Sequence, residues 1–104
     1  MTYRLRLVHT GSFASMRFSV DDHPLTIVEV DGTLVQPYTV AGLTLAVAQR
    51  YSVLLHTNVT GGGAFWMRGG VQSDMFTYDE PGQNLDIRGI VRCAPVVPSL
   101  AAVC

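Results

Sequence analysis

Histidine is the side chain best suited to ligation or proton transfer near neutral pH, and this sequence has three, His9, His23 and His56. They stand alone. No two lie two residues apart and none adjoins a cysteine, whereas a metal needs three or four converging donors, so no metal site is expected in the chain. His23 is the most constrained, because Pro24 fixes its own φ and pushes the preceding residue into an extended conformation. Of ligand, catalytic base and scaffold, it reads best as a structural turn histidine positioned by Asp21 or Asp22.

A second group is acidic and aromatic. Asp74, Asp79 and Glu80 form the only carboxylate cluster, interleaved with Met75, Phe76 and Tyr78 in a polar stretch from Val71 to Asn84. About fourteen residues is long for a connection in a compact domain, so this is either a solvated loop or a wall of a substrate pocket. Elsewhere the chemistry reads as structural. Gln49-Arg50-Tyr51 opens a strand, with Arg50 bonding turn carbonyls and Tyr51 packing at a sandwich corner. Phe65 and Trp66 could form an electron relay with Tyr51, but aromatics dominate sandwich interiors and core packing is the expectation. No nucleophile elbow or phosphate-binding glycine loop is present, and no catalytic residue is assigned.

The elements that must carry these residues are strands. Tyr3, Leu5 and Leu7 alternate with arginines; Met16, Phe18 and Val20 alternate with polar residues; Leu25 to Val30 follows the break at Asp21–Pro24, and Asp31-Gly32 closes it with turn chemistry. Thr33 to Tyr38, carrying Pro37, reads as a connection. Leu43 to Val47 and Tyr51 to Leu55 alternate again, Ala64 to Arg68 suits a strand buried on both faces, and Leu85 to Val91 is the last. Seven or so short strands at roughly ten-residue spacing predict an all-β antiparallel sandwich or barrel.

The composition agrees. A chain of 104 residues holds one domain, and 48% hydrophobic against 14% charged residues argues for a packed core. A net charge of −1 excludes an electrostatic nucleic-acid binder, and no run is long and apolar enough to span a membrane. The N-terminus enters a strand directly, with no signal peptide expected. Cys93 and Cys104 form neither a metal pair nor a disulfide framework and read as incidental. Asn58-Val59-Thr60 is an N-glycosylation sequon beside a glycine turn.

The succession RLRLVHTGSF, FSVDDHPLTIVEVDGT, AQRYSVLL and FWMR resembles the second, plastocyanin-like domain of laccase-like multicopper oxidases. The likeness covers about Tyr3 to Arg92 and departs from the family at His9, where asparagine is usual, and at Asp22 and Ala48, where glycine is usual. It implies a cupredoxin-like Greek-key sandwich over residues 1–92, incomplete at its N-terminus, with an irregular tail over 93–104. It implies a non-copper-binding middle domain of an extracellular oxidase that couples oxidation of phenols or similar reductants to reduction of dioxygen. In such an oxidase the copper and the partnering cupredoxin domains lie elsewhere in the polypeptide. The loop from Gly69 to Glu80, with Asp74, Phe76, Asp79 and Glu80, is then one wall of the reductant pocket; several carboxylates would instead suit a ferrous ion. A free-standing, self-associating and non-catalytic module is the alternative.

Overall fold

The computed structural model describes residues 1–57, 62–78 and 81–93. Its strands are β1 (Thr2–Val8), β2 (Met16–Val20), β3 (Leu25–Val30), β4 (Thr33–Val40), β5 (Leu43–Leu45), β6 (Arg50–His56), β7 (Gly63–Val71) and β8 (Asp86–Cys93). They form two antiparallel four-stranded sheets, ordered β1-β6-β3-β4 and β5-β2-β7-β8. The period-two alternation has its physical cause here. Each sheet turns one row of side chains inward, and Val20, Leu25, Leu43, Leu45, Val53 and Leu55 meet as the buried core between them.

Among the described residues only β3–β4 and β7–β8 are hairpins between consecutive strands; β2 and β3, though joined by a short turn, lie in opposite sheets. The β3–β4 hairpin closes through Asp31 and Gly32, both at positive φ (50° and 84°), the backbone a two-residue type I′ turn needs.

Four expectations need correction. Residues 33–38 are not a connection but part of β4, an edge strand whose register against β3 slips between Ile27 and Glu29. Its exposure removed the alternation, and a bulged edge tolerates the missing N–H of Pro37. The strand around Trp66 is buried on one face only. Phe65 and Met67 point inward while Trp66 is 41% exposed, because an antiparallel sandwich covers one side of each sheet. The connection after it starts later than expected, since β7 runs on to Val71 through its pairing with β2 and β8. Finally, Cys93 is disulfide-bonded, not incidental. Sequence spacing does not reveal the chain path that brings two thiols together.

Candidate functional site

The loop between β7 and β8 is anchored from both sides. Val71 donates its N–H to the Leu85 carbonyl at 2.8 Å and Gln72 donates to Ser15 at 2.9 Å. A single 3₁₀ turn, Ser73–Met75, follows, closed by Phe76 N–H on the Ser73 carbonyl at 3.0 Å. Asp74 is exposed on this turn. Phe76 is half-buried against Phe13, their rings 5.9 Å apart and tilted by 51°. The two phenyl rings line a cleft of about 280 Å³ with Thr77, Tyr78 and Gln83. An aromatic-walled cleft of this size accepts a single aromatic ring by offset or edge contact. Phe13 was not singled out from the sequence; it lies 63 positions before Phe76, and no local pattern joins residues so far apart. Asp79, Glu80 and the sequon residue Asn58 lie outside the described residues.

The histidines do not converge. His23, 2% exposed, bonds the Asp21 carbonyl through Nδ1 at 2.8 Å and meets Phe65 edge-on, with ring centres 4.6 Å apart. Because a carbonyl only accepts, Nδ1 carries the proton and Nε2 is a buried lone pair with no partner. It is thus the backbone of Asp21, not a carboxylate, that orients the ring. His9 has the opposite tautomer. Gly11 N–H donates to its Nδ1 at 3.1 Å, which puts the proton on an unpartnered, buried Nε2. His56 is exposed, with Nδ1 2.9 Å from the Thr2 hydroxyl. Among the described residues no three of His, Cys, Asp or Glu come together, so this donor set does not fit a copper ion.

Arg50 donates from Nη1 to the Ala48 carbonyl at 3.1 Å and lies 3.5 Å from Asp31, whose carboxylate also accepts the Arg50 N–H at 2.9 Å. Tyr51 packs against the core from β6. Trp66 belongs to no interior cluster; the Arg88 guanidinium lies 5.9 Å from its ring centre on the outer face. Beside it Arg68 grips Asp21 with two hydrogen bonds of 2.8 and 2.7 Å. That pairing holds the Asp21 carboxyl below the usual carboxylate range, and Arg88 does the same for Asp86.

Two packed antiparallel sheets with this strand order define a cupredoxin-type β-sandwich domain. The multicopper oxidase family model matches residues 1–90, and the chain belongs to that family. It is 55% identical over 56 residues to an iron transport multicopper oxidase of Kluyveromyces lactis, covering 54% of this chain and 9% of that protein. Laccase-2 of Trametes versicolor is 44% identical over 66 residues, 64% of this chain and 12% of the relative. Among solved structures, the multicopper oxidase Fet3p, described as functioning in iron import, superposes with a TM-score of 0.80 at 32% identity, over 86% of this chain and 17% of its own. A laccase from Botrytis aclada gives 0.76 at 32%, over 88% and 16%. The chain therefore spans less than a fifth of the length of these relatives.

Proposed function

We propose that this chain is the middle domain of a laccase-like multicopper oxidase, holding no copper itself, serving as scaffold and as one wall of the reductant pocket. It is inactive by itself. One observation carries the reading: a family match over residues 1–90 in a chain that spans only 9–17% of its relatives, with no convergent copper donors among its described residues. The copper would reside in the flanking cupredoxin domains of an extracellular parent, and Asn58 would then be open to glycosylation.

The reductant wall is the Phe13–Phe76 cleft with Asp74 on the adjoining turn. A phenol ring would stack on Phe76, and Asp74 would take the phenolic proton as the electron passes to the copper that the parent oxidase would supply, since the radical cation is far more acidic than the phenol. A second reading has ferrous iron as the reductant, favoured by the iron transport oxidase relative; there Asp74 supplies an oxygen ligand and the aromatic cleft is idle.

The test uses the complete oxidase carrying this chain, with Asp74→Asn and Phe76→Ala. Under the phenol reading both lower kcat/KM for a phenol by about tenfold, the equivalent of about 1.4 kcal/mol, with copper content unchanged. Under the iron reading only Asp74→Asn acts, and on ferrous iron. If neither substrate responds, the loop is surface and the chain is scaffold alone.

A further inference from the structure

Strand alternation places Arg17, Trp66, Arg68, Arg88, Ile90 and Arg92 on the outer face of the β5-β2-β7-β8 sheet, because Phe18, Met67 and Val91 point into the core. Trp66 and Ile90 are register partners, 41% and 52% exposed, and form an apolar centre. Arg68 and Arg88 are also direct partners, like charges held together because Asp21 and Asp86 neutralise them. Arg17 and Arg92 have no such partner among the described residues. Among the described residues the face thus sets four guanidinium groups against two carboxylates around an exposed tryptophan, in a chain of net charge −1.

Aromatic and arginine side chains around an apolar centre are the composition of an interface core. We propose that this face docks an acidic, partly apolar surface of an adjoining region of the same oxidase polypeptide, with carboxylates meeting Arg17 and Arg92 and aliphatic groups covering Trp66 and Ile90. Two observations select this occupant. The positive charge of Arg17 and Arg92, unpaired among the described residues, calls for carboxylates, and relatives several times longer than the chain supply a covalently tethered partner at high effective concentration.

The proposal rests on the multidomain reading above, and its test separates the two. The intact polypeptide is weighed by mass spectrometry and footprinted with hydroxyl radicals, folded and in urea. Trp66 is expected to oxidise at least about fivefold slower in the folded polypeptide, as a fully desolvated anchor does. Arg17→Glu with Arg92→Glu removes that protection and the corresponding lysine pair keeps it; should the glutamate pair fail to fold, the wild-type footprint decides. A multidomain mass with faster Trp66 oxidation, or protection lost on dilution as for a second copy, overturns the docking face alone. A single-domain mass overturns the multidomain reading and the face with it.

Discussion

Two corners of this sandwich do the same job by different means. At Val20–His23 and at Ala46–Gln49 the chain leaves the β5-β2-β7-β8 sheet and enters the other. In each, the fourth residue donates its N–H to the first carbonyl, at 3.2 and 3.1 Å, and the third residue has positive φ, 58° at Asp22 and 64° at Ala48. The first corner is locked from inside, by the buried His23 ring on the Asp21 carbonyl and on Phe65. The second is locked from outside: Gln49 Oε1 accepts the Ala46 N–H at 2.8 Å, and Arg50 bonds the Ala48 carbonyl. A left-handed residue is thus tolerated wherever neighbouring contacts over-determine it, whether by packing or by polar bonds.

The largest expected effect breaks the inner lock. His23→Ala removes the carbonyl hydrogen bond and leaves a cavity beside Phe65, which should destabilise the protein by about 2–3 kcal/mol in urea denaturation; the orphaned Nε2 that leaves with the ring keeps the figure below that of a large apolar deletion. A loss under about 1 kcal/mol would mean that the turn holds itself. The next contrasts the two left-handed residues. Alanine has no polar group to offset its Cβ clash there, whereas aspartate visits this region more readily. Ala48→Gly should therefore stabilise by about 0.5–1 kcal/mol and Asp22→Gly by less than about 0.5 kcal/mol, and equal gains would remove the distinction. The strands on either side were legible from sequence as alternation, and so was the unusual residue at each corner against the glycine of the resembled family. What hid was the reason, since φ is a property of the folded corner and both corners read only as breaks in a pattern.

The smallest effect concerns the ion pair beside the inner corner. Arg68 holds Asp21 below its ordinary pKa, so the pair's stabilisation is complete above the ordinary carboxylate value and is lost as pH falls through the lower folded value. Asp21→Asn should remove this acid-side component, flattening the pH dependence of the melting temperature below about pH 4 while leaving that of neutral solutions nearly unchanged, since the pair is solvent-screened. An unchanged acid profile would assign the slope to other carboxylates such as Asp86.

Local pattern alone determined that this chain is all-β, which residues of β1, β2 and β6 face a core, and that Asp31-Gly32 turns, because side-chain alternation and turn chemistry act over two to four residues. The tertiary structure decided the rest. It decided which sheet each strand joins, that residues 33–40 form an edge strand despite Pro37, and that Trp66 faces outward beside Arg88. It also brought Phe13 to Phe76. These outcomes depend on pairings between residues tens of positions apart, where the energy lies in burial and register that no short window of sequence contains.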